Sequence, residues 1–576
     1  MCGFTAVVNL SNKSVKNKSK LLLNHLKFRG NDSQSQYHDD DISLFSSRLS
    51  INDHSNGNQP MFDYTKNYII VLSGEVFNFK ELKNDLTIKG YKFKNKSDTE
   101  VLLNLYIHYG ENCVKKINGF FSFFIWSKKT KEFFVGRDRL GKKPLFWFRD
   151  KEYICFSNTI ATFKIFRSFS FKKINQISMI NFIEFGDCFL NQGYYFDQVN
   201  NFPRSSTVRA KKKNNYNIKT KKYWQIDFTK RKINIKKALK EYEKILIKSI
   251  KYRLIGDTNV SLAISSGVDS NSIYQAIIKN NLGKIKLISA DAYRKKNFGT
   301  DIYNHNLKNI TYVKVDYKNY IKNYVKYLNY FDVPNNQTNI NCYQELFKNS
   351  STKGKILLLG HGADEIFFGY KGDEKLFKLN QIFQFLRSIK LVNINSIFWL
   401  YFYFIFLKYK LFYKADIEFG KYNKNLKIFL NDFKKSKAQD IYDLKFYLNI
   451  FLKSTNSNYV IPDVLGLRYN LETRCPFLDH KMVEFAASLP IKHKIKDSNH
   501  LNNKFLCKKY LSKYIAKEKI FLDKKGFGWN LNYHSIFSEN IKSLTKMFNS
   551  NKLNLIKKSK ITKILNYFND FDFKGK

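Results

Sequence analysis

The sequence predicts a chain of more than one domain, with an α/β unit of strand, turn and helix in its carboxy-terminal half. Three observations point there. The length of 576 residues exceeds the roughly 250–300 at which a single hydrophobic core stops growing. The stretch Leu262-Ala263-Ile264-Ser265-Ser266-Gly267-Val268-Asp269-Ser270 turns from an apolar run into small and hydroxyl residues where a helix with Ile273, Ile277 and Ile278 on one face begins. A second apolar strand, Ile356-Leu357-Leu358-Leu359, likewise ends in Gly-rich polar residues, Gly360-His361-Gly362-Ala363-Asp364.

Composition narrows the function classes. The formal net charge is +52, from 100 basic and 48 acidic residues. The excess is mostly Lys, spread along the whole chain beside many Asn, Ile, Phe and Tyr, residues with A/T-rich codons, and is read as solvated surface. Runs such as Lys211-Lys212-Lys213 and Lys221-Lys222 look like a loop, so no nucleic-acid partner is expected. Seven cysteines without regular spacing argue against a disulfide framework and for a reducing compartment, the cytoplasm. The first residues do not read as a signal peptide. The apolar stretch Ile397 to Leu407 is shorter than the ~20 residues of a membrane span and is flanked by Lys390 and Lys408. A buried or interface helix without stable membrane insertion is expected, with peripheral membrane contact left open.

Taken in order, the chain opens Met1-Cys2-Gly3-Phe4-Thr5-Ala6-Val7-Val8. Removal of Met1 would leave a thiol and a free α-amine on Cys2, and an amine with a reference pKa near ~8 can take the thiol proton without a histidine. The plainer reading is a small buried Cys at the start of a strand. Polar clusters then close successive apolar runs: Arg29 to Asp32, Ser47 to Ile51, Asn58-Gln59-Pro60-Met61, Ser73-Gly74-Glu75-Val76-Phe77-Asn78 and Ser97-Asp98-Thr99-Glu100. Arg48 offers a planar fork for an α-carboxylate, while Glu75 and Asp98 suit an α-ammonium, a set that would read a free amino acid. Taken singly, each also suits a surface ion pair.

This pattern resembles the class II glutamine amidotransferase domain of asparagine synthetases, and the resemblance continues through Ile117 to Phe123 and Arg137 to Leu145. It implies that Cys2 is the nucleophile that hydrolyses glutamine, that Arg48, Glu75 and Asp98 bind glutamine, and that the Gly74 N–H helps form the oxyanion hole. Where the family has Asn before Gly-Glu, this chain has Ser73. A donor aimed at the oxyanion is worth ~3–4 kcal/mol, so the shorter hydroxyl implies weaker glutaminase activity or use of free ammonia.

Between Phe196 and Thr220 the chain turns polar and irregular, as an interdomain connection would, and it ends in Tyr223-Trp224. The loop at Ser265, Ser266, Gly267, Asp269 and Ser270 suits a phosphate: small residues let backbone N–H groups approach, hydroxyls add donors and the helix dipole favours negative charge. The same residues suit an ordinary helix-capping turn. Asp269 beside phosphates makes sense mainly as a ligand for a bridging Mg²⁺. The loop resembles the SGGxDS pyrophosphate-binding motif of ATP-pyrophosphatases, with Ser266 in place of one Gly, a change that is cheap only if the local φ is negative.

By the same resemblance Leu359 and Gly360 join the ATP site and Asp364 is the second Mg²⁺ ligand, while His361 stands where the family carries an acidic residue of the amide-forming step. The stretch Leu471-Glu472-Thr473-Arg474-Cys475-Pro476-Phe477-Leu478-Asp479-His480 matches the family's E-x-R-x-PFLD signature. Lys504 and Lys524-Lys525-Gly526-Phe527-Gly528 match its closing lysine motifs, which implies that Lys504 lends positive charge to the phosphates. Residues 371 to 440 match poorly.

The fold that follows is an α+β N-terminal-nucleophile (αββα) domain over residues 2–195, a linker over 196–234, an α/β parallel-sheet ATP-pyrophosphatase domain over 235–540 and a tail over 541–576. The expected reaction is ATP-dependent, glutamine-hydrolysing conversion of aspartate to asparagine through an acyl-adenylate, with ATP and Mg²⁺; a homodimer is a candidate assembly. The alternatives are amidation of a carboxylate on a sugar or other precursor, to which His361 points, and a non-catalytic relative, to which Ser73 and Ser266 point.

Overall fold

The structure is a computed structural model that describes residues 2–521 except 12, 189–192, 292–309, 316–318, 336, 338, 413–418 and 454–455. The lysine motif Lys524 to Gly528 and the tail over 541–576 lie outside the described residues.

The amino-terminal half is a sandwich of two antiparallel six-stranded sheets. One runs, edge to edge, through Asn200–Asn201, Phe146–Arg149, Tyr153–Ser157, Cys2–Asn9, Ile42–Arg48 and Ser33–His38. The other runs through Lys221–Lys222, Ser206–Lys211, Glu132–Arg137, Gly119–Ser127, Tyr68–Val76 and Met61–Phe62. Continuous apolar strands have two faces to bury, and the alternation of side chains sorts them. Ile69 and Val71 meet Phe4, Ala6, Val8, Phe124 and Trp126 between the sheets. Ile70 and Leu72 instead pack outward with Leu86, Val101 and Leu105, residues of the helices Phe79–Ile88 and Asp98–Tyr109. Val7 and Phe45 do the same on the opposite side against Leu22 and Leu26 of the helix Ser19–Leu26. The layers are therefore helix, sheet, sheet, helix, as expected for an N-terminal-nucleophile domain.

One segment differs from expectation. Ser206–Lys211, placed in an irregular linker from its polar sequence, is a strand paired with Glu132–Arg137, and Lys221–Lys222 pairs with it in turn. Only Val208 and Ala210 carry its apolar face, both buried, which is too short an alternation to stand out beside the lysines.

The carboxy-terminal half holds a five-stranded parallel sheet in the order Ile310–Lys314, Lys286–Asp291, Val260–Ala263, Ile356–Leu358 and Glu472–Arg474. The chain builds outward one way from Val260–Ala263 and then crosses back to Ile356–Leu358. Strand order reverses between those two, and such a switch point opens a crevice at the strands' carboxyl ends. The apolar stretch 397–407 falls in the helix Ile394–Phe412, where Phe398 and Phe402 are buried and pack on Phe429. Among the described residues no helix is long and apolar enough to cross a membrane. All seven cysteines are free thiols.

The halves share a core and a set of buried charges. Leu49, Ile51, Phe77 and Phe120 belong to the same buried cluster as Val260, Leu262 and Ile356. Asp463, on the helix Ile461–Arg468, accepts from Arg29 Nη2 at 2.7 Å and from Lys143 Nζ at 2.8 Å. Its carboxyl is held at about 2, because Arg29 and Lys143 outweigh the effect of its own burial. Asp479 accepts from Asn118 Nδ2 at 3.0 Å and Arg253 Nη1 at 2.9 Å.

Replacing Asp463 with Ala leaves two buried cations without their carboxylate, a loss of about 3–5 kcal/mol, read as a lower urea midpoint. A depressed carboxyl gives stability that is present above its unfolded pKa and lost as pH falls through the folded one. The midpoint difference between wild type and Asp463→Ala should therefore be full above pH 3.8 and shrink toward about 2.

Candidate functional site

Two clusters lie at strand ends, one in each half. In the sandwich, Cys2 opens its strand directly opposite Arg48. The thiol is buried, and burial pushes its pKa up, with Arg48 and the Leu49 N–H pulling it back and Asp98 reinforcing it. Gln59 Nε2 donates to Thr99 Oγ1 at 3.1 Å and reaches Cys2 Sγ at 3.7 Å, while its Oε1 accepts from the Leu72 N–H at 2.6 Å. Gln59 thus ties the strand of Cys2 to the neighbouring sheet. It was legible only as part of the polar cluster Asn58-Gln59-Pro60, and its contact with the thiol was not foreseen.

Arg48 gives its fork to a loop: Nη1 donates to His54 O and Asn58 Oδ1, each at 3.1 Å, and Nη2 to Asn52 O at 3.0 Å and Asp53 O at 2.6 Å. Ser73 is fully buried, and its Oγ finds no hydrogen-bond partner among the described residues. A buried hydroxyl left so costs about 1–3 kcal/mol. Gly74 has φ +122°, and a Cβ there would stand 2.0 Å from Phe120 O, so only glycine fits between these strands.

Glu75 and Asp98 are both buried. Asp98 begins the helix Asp98–Tyr109, behind the N-cap Ser97, and accepts from the Val76 N–H at 2.8 Å. Asn52 Nδ2 donates to Glu75 Oε2 at 2.9 Å. Both carboxyls are raised, chiefly by burial. Glu75 also lies 3.6 Å from Arg474 Nη2 of the other half, and Arg474 Nε donates to Glu472 at 2.5 Å. The Glu472 to Asp479 signature, matched in the sequence without an assigned contact, is thus part of the interface with the sandwich.

The second cluster occupies the switch-point crevice. Beyond Val260–Ala263 the turn is laced together: Asn271 Nδ2 donates to Ser265 O at 2.7 Å and Gly267 O at 2.8 Å, and the Gly267 N–H donates to Ser265 Oγ at 3.1 Å. Ser270 Oγ accepts from the Ser265 N–H at 3.1 Å. Gly267 caps the helix Val268–Lys279, whose first turn carries Asp269. Ser266 is not one of the positive-φ residues, so its Cβ is accommodated without backbone strain. Leu359 gives its N–H to Arg474 O at 2.9 Å, and a Cβ on Gly360 would press to 2.9 Å from Asp269 Cβ.

Asp269, Asp364 and Lys504 converge, although 95 and then 140 residues separate them in sequence. Lys504 Nζ donates to both Asp269 oxygens at 2.6 Å and lies 2.5 Å from Asp364 Oδ1. Burial would discharge this ammonium, but the two carboxylates overcome burial and raise its pKa. Lys504 also holds φ +55°, a left-handed conformation kept where the surroundings over-determine it. Gly369 makes room: a Cβ there would fall 1.9 Å from Asp364 Oδ1 and 2.0 Å from Lys504 Cε. Nothing in the sequence alone singled this glycine out. The cation between Asp269 and Asp364 here is the Lys504 ammonium; their carboxylate oxygens are of the donor type Mg²⁺ takes, and among the described residues no third His, Cys, Asp or Glu joins them.

His361 Nε2 lies 2.9 Å from Tyr343 OH, and its Nδ1 is buried without a partner among the described residues. Burial, aided by Lys142 and opposed by Asp364, lowers the imidazole to about 3, so it is neutral at ordinary pH. Nothing in the sequence around Tyr343 signalled this pairing.

Comparison with known proteins agrees with this division. A glutamine amidotransferase domain model matches residues 1–224, and an asparagine synthase model matches residues 241–574, more than half of the chain. Asparagine synthetase [glutamine-hydrolyzing] 1 of Bacillus subtilis is 25% identical, over 92% of this chain and 87% of its own length. Asparagine synthetase [glutamine-hydrolyzing] 3 of the same organism is 24% identical, over 96% and 90%. A solved glutamine phosphoribosylpyrophosphate amidotransferase from B. subtilis covers 50% of this chain and 75% of its own, at 13% identity and a TM-score of 0.29. With an amidotransferase sandwich ahead of a parallel-sheet synthase half, and matches that run along nearly the whole sequence, the chain belongs to the asparagine synthase family.

Proposed function

We propose that the protein moves the amide nitrogen of glutamine onto a carboxylate activated by ATP, with aspartate as the acceptor and asparagine as the product. The observation that carries this reading is the meeting of Asp269, Asp364 and Lys504 at the switch point, beside the hydroxyl-rich turn from Ser265 to Ser270. The names of the relatives support glutamine as the nitrogen donor and aspartate as the default acceptor.

In the sandwich, the Cys2 thiolate attacks the glutamine amide carbon, and ammonia leaves as a thioester forms. Water then hydrolyses the thioester to glutamate and restores the thiol. Because burial raises the thiol's pKa, a nearby base is needed, and the α-amine freed when Met1 is removed supplies one. Asp98 and Glu75 receive the α-ammonium and the Gly74 N–H with Ser73 Oγ faces the oxyanion, while Arg48, whose fork is held by the loop from Asn52 to Asn58, meets the α-carboxylate once the substrate displaces part of that loop's hold.

In the synthase half, an acceptor carboxylate oxygen attacks the α-phosphorus of ATP and pyrophosphate leaves, giving an acyl-adenylate. Ser265, Ser266, Gly267 and Ser270 hold the phosphates with Leu359 and Gly360 alongside, and Lys504 neutralises the departing charge. Asp269 and Asp364 would hold Mg²⁺, which supplies further neutralisation of the phosphates. Ammonia then attacks the acyl carbon and AMP leaves.

A second reading, amidation of a carboxylate on a sugar or another precursor, is favoured by the Tyr343–His361 pair. A neutral imidazole does not attract an α-ammonium as a carboxylate does.

Pyrophosphate release from ATP, Mg²⁺ and glutamine should depend on aspartate, with an equal amount of asparagine seen by mass. Glutamate formation without any aspartate response would favour the second reading. Cys2→Ala should lose glutamine-dependent synthesis and keep synthesis from ammonium; unchanged glutamine use would remove Cys2 from the nucleophile's role. Lys504→Ala should cut pyrophosphate release by roughly 10²–10³-fold, the usual effect of removing one charge-stabilising group, and leave glutamine hydrolysis in place.

A further inference from the structure

The helix Leu376–Ser388 presents apolar side chains to water as well as to the core. Asn380 and Phe383 face inward, and Asn380 Oδ1 accepts from the Ile441 N–H at 3.1 Å. The opposite stripe carries Leu379, Ile382 and Phe385, which are 54%, 56% and 65% exposed. Ile389 and Leu391, just past the helix end, continue it at 50% and 69%. A surface helix ordinarily turns polar residues to solvent, so a row at this spacing marks a contact surface.

The charge along the row is of one sign: from residue 375 to 391 there are four Lys or Arg and no Asp or Glu, the nearest acids being Asp373 and Glu374 just before the helix. Lys375, Lys378, Arg387 and Lys390 are all exposed. An apolar row set among cations complements a bilayer whose headgroups are anionic and whose interior is hydrocarbon. A second copy of the same basic face would meet it with like charge.

We propose that the helix Leu376–Ser388 and the turn after it dock on an anionic phospholipid surface, with Ile382, Phe385 and Leu391 entering the headgroup boundary and the lysines meeting lipid phosphates. Just before the helix, Glu374 accepts from Asn503 Nδ2 at 3.0 Å, and Asn503 precedes Lys504. Docking would therefore hold the crevice of the synthase half near the membrane.

The test is flotation of the full chain with vesicles of pure phosphatidylcholine or of phosphatidylcholine with phosphatidylglycerol. Wild type should float with the anionic vesicles and only weakly with the neutral ones. The double variant Ile382→Ser, Phe385→Ser keeps the charge and should float at least tenfold less, with an unchanged thermal melt. Equal flotation of this variant would mean that net charge alone binds lipid, and would overturn the proposal, as would no flotation of wild type. A wild type that elutes as a dimer, while the variant elutes as a monomer, would make the row an interface between copies and also overturn it.

Discussion

A single buried ammonium organises the synthase half. Lys504 can stay charged out of water only while Asp269 and Asp364 both face it, and those carboxylates tolerate each other's company only with a cation between them. The arrangement needs the two strand–turn–helix segments at Val260–Lys279 and Ile356–Phe367 to lie side by side, which the parallel pairing of their strands provides. It also needs empty space where side chains would normally stand, supplied by Gly360 and Gly369. Strand order, two glycines and a left-handed lysine thus serve one point of balanced charge.

The same logic governs the seam between the halves. Asp463, Asp479 and Arg474 are buried and each meets a charged or amide group across the seam. Such contacts add little net stability compared with apolar packing, yet they tolerate no displacement, because a small slide would leave a charge without its counterpart. The apolar cluster that joins Leu49 and Phe77 to Val260 and Ile356 supplies the adhesion, and the ionic contacts supply the register.

Much of this was legible in the sequence, for identifiable reasons. The strand–turn–helix of residues 260–279 announced itself because an apolar run gives way abruptly to small residues. The alternation in Tyr68 to Leu72 was hidden, since both faces of the strand are buried and period two vanishes. Cys2 was found as a thiol beside the chain's start and Arg48 and Asp98 as polar residues at strand ends, and the structure brings the three near one another. Gln59, Tyr343 and Gly369 were not singled out, because their roles exist only through partners distant along the chain. The strand Ser206–Lys211 was missed because its lysines outweighed a two-residue apolar face.

Arg474 sits on the edge strand of the synthase sheet while its guanidinium stands beside Glu75 in the glutamine pocket of the proposed mechanism. One side chain is thereby committed to two domains that could otherwise have separate histories. A recombination event that brought in a foreign synthase half would have to bring a matching arginine and its Glu472, or leave the amidotransferase half with an unanswered acid. The seam thus makes each half's charge balance depend on the other.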